Sequence, residues 1–294
     1  MPDKSCTHCS GCHTGRRPCL ASATAGSRGW LLIEHPGPWD EEIDAMVLPE
    51  PIADAIARAR RHGVRPQLIR APRRRRATPP LRVYTGFSGP GAWLEGREIE
   101  DTDELAGLDL ASVAAGRRPN FGVPVTGPVL LVCTHGKHNA CCARFGAPLA
   151  RFLHERFGDV WETTHVGGDR YAANLVCLPH GLYYGDLDEQ RAMTAAEEYR
   201  RGRVVLAGYR GRVGLPEPVQ AAEHFVRSRS GVLDVEEVTV ESMVGDTAIV
   251  RARQARYRVR VTQESLGACG PGCGENIGTY IERDLTLLNE TALV

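Results

Sequence analysis

The sequence predicts an α/β protein of two β–α–β halves, with mixed sheets flanked by helices and a β-hairpin region towards the C-terminus. Three observations carry this reading. An apolar run, Pro128 to Val132, leads into a helical stripe (Ala143, Leu149, Phe152, Leu153, Phe157) and then into a second apolar run, Tyr171 to Leu178. Residues 30–71 repeat that order: a short apolar run, a helical face, a second run. From residue 233 onwards polar and apolar residues alternate, which is the period of a half-buried strand.

Each element has a local reason. Trp30 to Glu34 is a buried-strand candidate, closed by the turn His35-Pro36-Gly37-Pro38. Residues 51–62 place Ile52, Ala55, Ile56 and Ala59 on one helical face. Pro51 suits the first turn and Gly63 the stop. Val64 to Ala71 is the second strand of this half, and residues 81–87 are a third. Arg73 to Arg76 form a run of four arginines, read as a solvated loop, with a docking patch for an acidic partner or a phosphate as the alternative. A short helix is expected near 106–115 and a domain junction at 116–127. The central unit at 128–185 is followed by a helix at 186–202, a strand or turn at 203–209, and a helix from Pro216 to Arg227. Residues 233–241 and 248–261 read as a hairpin around Gly245-Asp246. The expected organisation is an N-terminal Cys/His-rich arm at 1–29, an α/β domain at 30–120, a second at 121–262, and a Cys-containing tail at 263–294.

Composition excludes several classes. Lys+Arg and Asp+Glu both number 36, so the net charge is zero and no general attraction to nucleic acid or anionic membrane is expected. No apolar run reaches membrane-spanning length, and the start of the chain is too polar for a signal peptide. A cytoplasmic setting is therefore expected. There thiols stay reduced, and ten cysteines favour metal or redox use over a disulfide framework.

The cysteines fall in three groups. Cys6, Cys9 and Cys12 run as C-x2-C-x2-C, like the opening of a four-iron ferredoxin loop, although Cys19 follows too late to complete it. Cys269 and Cys273 flank a glycine turn; they read either as a metal-binding or redox pair, with only half of a four-ligand site present locally, or as two ordinary loop cysteines. The central group is the richest. Cys133 ends the first apolar run, Cys141 and Cys142 open the helical stripe, and His165 lies four residues before Asp169 across Gly167 and Gly168. Thiolate and imidazole are the usual iron–sulfur donors, and the two glycines let the backbone pass close to a bulky inorganic ligand. Only one of Cys141 and Cys142 is expected to face the site. Cys177, inside an apolar strand, reads as a core residue.

The segments VCTHGKHNACCARFG, HVGGDRYAANLVCLPHGLYYG and WLLIEHPGPW resemble the sucrase/ferredoxin-like family, over about residues 19–262. The resemblance implies two thioredoxin-like halves and a 2Fe–2S cluster in the C-terminal one. It also implies the ligand set: Cys133 in VCTHG, Cys142 directly before Ala-Arg-Phe-Gly, and His165. The fourth ligand falls on Asp169, where better-known members have histidine. Carboxylate is harder and anionic, so it is expected to lower the cluster potential. Cys141, His138, Cys269 or Cys273 are the substitutes should Asp169 ligate poorly. The implied function is one-electron transfer with a redox partner protein. Two rivals stand beside it: a thiol-based oxidoreductase using Cys141/Cys142 or Cys269/Cys273, and a non-catalytic zinc-binding module.

Overall fold

The structure is a computed structural model that describes residues 19–72, 79–268 and 276–288. Cys6, Cys9, Cys12, Cys269, Cys273 and the arginine run lie outside the described residues. In the N-terminal half, β1 (Gly29–Glu34) is buried at every position. Helix α1 (Glu50–Arg61) crosses over to β2 (Val64–Arg70), which pairs parallel to β1. β3 (Leu81–Phe87) then pairs antiparallel on the other side of β1, and β4 (Trp93–Ile99) pairs antiparallel to β3. α2 (Leu110–Ala114) and the short edge strand β5 (Val123–Pro124) close this half. The helix expected near 106–115 is thus split in two, a 3-10 turn at Thr102–Gly107 and then α2, each with its own aspartate cap, Asp101 and Asp109.

The C-terminal half repeats the same plan. β6 (Val129–Cys133) is central, and α3 (Ala147–His154) crosses to β7 (Val160–Thr163), which runs parallel to it. β8 (Leu175–Leu178) pairs antiparallel on the other side of β6, and β9 (Leu182–Tyr184) follows antiparallel to β8. The strand orders β2-β1-β3-β4 and β7-β6-β8-β9 are equivalent. The two halves do not keep separate sheets. β2 and β7 pair antiparallel at Ile69–Thr163 and Arg70–Glu162, which fuses them into one curled sheet of ten strands.

Strand alternation sorts the side chains into layers. Leu31 and Ile33 pack beneath α1 and α2. Leu130 and Val132 pack beneath α3 and α4 (Glu189–Arg200). Trp30, Leu32, Leu131 and Cys133 point to the opposite face, where one core spans the seam between the halves. Trp30 is fully buried there. Its indole N–H donates to Ser88 Oγ at 2.8 Å, and that hydroxyl donates to Pro179 O at 2.5 Å.

β10 (Tyr209–Arg212) edges the large sheet next to β9, and α5 (Glu217–Ser230) leads from it to a second, antiparallel sheet. That sheet contains β11 (Val238–Val244), β12 (Thr247–Ala252), β13 (Ala255–Ala268) and β14 (Asn276–Leu288). The strand expected at 248–261 is two strands with a reversal between them, and β13 continues through the boundary expected at 262. α5 covers one face of this sheet, with Ala222 and Val226 against Val250, Val259 and Val261. No described helix is long and apolar enough to cross a membrane.

Candidate metal centre

β6 ends at Cys133, and the chain loops back through His135 and Asn139 to a π-helical turn at Cys142–Gly146 that opens α3. The loop is held from within. Asn139 N–H donates to His135 O at 3.1 Å, Cys142 N–H donates to Asn139 O at 3.0 Å, and Cys141 N–H donates to Asn139 Oδ1 at 2.9 Å. Gly146 lets the start of the helix lie directly against the end of the strand, because any Cβ there would collide with the Cys133 carbonyl. This approach is what brings Cys142 to Cys133. Gly146→Ala is accordingly expected to cost on the order of 1–3 kcal/mol and to part the two sulfurs. Thermal unfolding, with a Co2+ titration of the same variant, checks both effects; wild-type values in both would remove the glycine from this role.

On the facing side, β7 ends at Thr163, and Thr164 N–H donates to Leu68 O at 3.0 Å. His165 follows, then Gly167 and Gly168 in left-handed conformations (φ 94° and 75°), then a 3-10 turn at Asp169–Tyr171. The outcome is a cluster of three donors. One donor atom each from Cys133, Cys142 and His165 lie within 4.8 Å of one another. Asp169 is outside this triplet; its Oδ2 accepts from Asn139 Nδ2 at 2.6 Å. Cys141 is buried beside Cys142 but is not part of the triplet either. Cys177 packs in the other core layer, under α3 and α4, where burial pushes its thiol pKa up.

The electrostatics of the two thiols are opposed. The hydrogen bond from Cys142 holds the Cys133 pKa well below the ordinary thiol value. Burial works against this, and His165 adds to it. The Cys142 pKa is raised by the same partnership and by burial, with a further push from Asp169 and Cys141. One sulfur of the pair is therefore a ready thiolate stabilised by the other's proton.

Two more histidines complete the surroundings. His165 N–H donates to His135 Nδ1 at 3.1 Å, so the His135 proton sits on Nε2 and goes to Asp40 O at 2.5 Å. Burial lowers the His135 pKa and keeps that ring neutral. His138 stacks on His165 with ring centroids 3.8 Å apart, and its Nδ1 donates to Glu41 O at 3.2 Å. Asp40 and Glu41 belong to the N-terminal half, so both halves build the site. A pocket of about 210 Å3 opens between them, with Arg65, Gln67, His138 and His165 on its walls.

With this geometry in place, the comparison with known families gives one match. Residues 113–211 match the sucrase/ferredoxin-like family. The sucrase/ferredoxin-like segment runs from α2 to β10 and contains Cys133, Cys142, His165 and Asp169. It is narrower than the 19–262 span suggested by the motifs, and it leaves β1 to β4 outside. No curated protein and no solved structure matches the chain. Within the sucrase/ferredoxin-like segment, sequence reasoning passed over Asn139, which joins the cysteine loop to Asp169. It also passed over His135, which sets the backbone of His165. The only signal for either was its position inside the quoted motif VCTHGKHNACC.

Proposed function

We propose that the protein is a 2Fe–2S electron-transfer protein whose cluster is held by Cys133, Cys142, His165 and Asp169, in the second of two thioredoxin-like halves. The observation that carries this is the convergence of two cysteine sulfurs and one imidazole nitrogen, contributed by the strand end, the helix start and the glycine turn. The donors suit such a group in kind, since iron–sulfur clusters take thiolates, with imidazole as the common substitute. His165 Nδ1 is moreover buried with no hydrogen-bond partner among the described residues, as an imidazole nitrogen open to a ligand would be. The repeat of a parallel β–α–β unit followed by two antiparallel strands supports the thioredoxin-like description.

When bound, the cluster supplies a one-electron couple. The chain's own part is to bury the sulfurs from water, to keep His135 neutral against the backbone of His165, and to present His138 at the pocket mouth. A protein redox partner would meet the site on that side. A reducing, cytoplasmic setting fits the free thiols of Cys19, Cys133, Cys141, Cys142 and Cys177. A mononuclear zinc site is the second reading, favoured by the fact that Asn139 already engages Asp169 and three donors stand without it. The visible spectrum of anaerobically purified protein separates the two, because sulfur-to-iron bands require iron and a zinc protein is colourless.

Asp169 gives a sharper test. Asp169→His replaces an anionic donor with a neutral one and is expected to raise the reduction potential, read by redox titration. Asp169→Asn keeps an oxygen for Asn139 but removes the charge, and is expected to shorten the lifetime of the cluster in air. Unchanged potential and unchanged lifetime across both variants would show that the carboxylate only caps the turn.

A further inference from the structure

Arg210 on β10 is among the largest fully buried side chains of the protein, 1% exposed, and its side-chain hydrogen bonds go to neutral oxygens. Burying a guanidinium is costly, and the cost is offset as its N–H groups find acceptors. Four of the five N–H groups of Arg210 find neutral oxygens. Its Nε donates to Ser22 Oγ at 3.0 Å and its Nη2 to Ser22 O at 2.5 Å. Its Nη1 donates to Gly167 O at 3.0 Å and to Asn174 Oδ1 at 2.7 Å. The guanidinium lies over the rings of Tyr171 and Tyr183, at 5.0 and 5.5 Å from their centroids. Burial lowers its pKa from the ordinary value, with the surrounding Tyr183, Tyr171, Cys19 and Asp186 acting the other way.

Two of its acceptors, Gly167 O and Asn174 Oδ1, bear on the loops that carry the donor triplet. Asn174, held by Arg210, donates through Nδ2 to Gly168 O at 2.8 Å and accepts at its backbone oxygen from Cys133 N–H at 3.1 Å. Thr24 Oγ1 donates to Val166 O at 3.1 Å. Three successive carbonyls after His165, those of Val166, Gly167 and Gly168, are therefore pinned, two of them through Arg210. A Cβ at Gly168 would strike the guanidinium, so the turn and the arginine fit each other only as glycine and arginine. The planar fork is what allows one side chain to reach acceptors on three separate segments.

We propose that Arg210 is a positioning residue for the metal centre: it clamps the Gly167–Gly168 turn and Asn174 so that His165 faces Cys133 and Cys142. The proposal rests on the reading of Cys133, Cys142 and His165 as metal ligands. The test uses the full-length apoprotein with Co2+ alone as the probe, because cobalt bound to thiolate and imidazole reports both affinity and ligand geometry in its visible spectrum. Arg210→Lys keeps the charge and loses the fork; Arg210→Met loses both. Both are expected to weaken Co2+ binding about 10- to 100-fold, the usual cost of removing an outer-shell support, and to alter the cobalt spectrum. A residue that only stabilised the fold would lower the melting temperature of the variants and leave affinity and spectrum as in the wild type, and that result would overturn the proposal. Should neither arginine variant fold, Asn174→Ala removes one acceptor of the clamp. It is expected to weaken Co2+ binding several-fold, and wild-type affinity there would overturn the proposal equally. A wild-type protein that takes up no Co2+ would instead sink the ligand reading itself, and the proposal with it.

Discussion

Alanine at Cys133 or Cys142 is expected, on the proposed cluster reading, to prevent iron uptake and to abolish any visible sulfur-to-iron bands. Each sulfur is one of three donors within 4.8 Å, and each lies in the core layer that spans the two halves. Loss of either leaves one cysteine with His165 and Asp169, one short of the four ligands that the proposed cluster takes. The effect is expected on metal content first and on stability second, since a small side chain replaces a small one. Cys177→Ala serves as the control. It removes a thiol of similar burial from the opposite layer and is expected to keep the full spectrum. Bands at wild-type intensity in either ligand variant would take that cysteine out of the site.

The second large effect is expected at Glu223, far from the cysteines. This carboxylate on α5 is buried between two arginines. Arg212 Nε donates to it at 3.1 Å and Arg227 Nε at 2.9 Å, while Arg227 also donates to Asp234 O and Val235 O. The network ties the edge strand β10 to α5 and to the chain entering the second sheet. Glu223→Gln leaves the buried Arg227 and the half-buried Arg212 without their counter-charge, which is expected to cost about 3–5 kcal/mol. Urea unfolding of wild type and variant measures it; a change under about 1 kcal/mol would mean the arginines find other partners. The same network sets a pH dependence. Burial alone would raise the Glu223 pKa, but Arg212 and Arg227 outweigh it and hold the value below the ordinary 4.5. A carboxyl depressed on folding stabilises above its unfolded pKa. That contribution is present at neutral pH and is lost as the pH falls below 4.5 through the folded value.

Much of the central unit was legible because its signals are local. β6, α3 and β7 each carry an unbroken apolar run or stripe, and the donors sit where those runs stop. β4 was not legible, since Glu95 and Arg97 interrupt the apolar pattern of Trp93 and Leu94, although Glu95 is buried. The reversal between β12 and β13 was missed for a different reason. It turns at Arg253 with φ 53°, a left-handed conformation without the glycine or asparagine that ordinarily announces it. The fusion of two sheets through β2 and β7 leaves no trace in either strand's own sequence, because pairing between distant edges depends on the assembled halves. At the site, thiols and the glycine turn were readable by residue type. Arg210, Asn139 and Asn174 were not, since their roles lie in hydrogen bonds that only the folded chain brings together: Arg210 to Ser22 and Gly167, Asn139 to Asp169, Asn174 to Gly168.

The central proposal is that Cys133, Cys142, His165 and Asp169 would hold a two-iron cluster, and the Mössbauer spectrum of protein loaded with isotopically enriched iron tests it most directly. The account predicts two doublets of equal area in the oxidised protein, because a donor set of two thiolates, one imidazole and one carboxylate would make the two irons inequivalent. A single doublet from equivalent irons, or no iron retained by the folded protein, would contradict it.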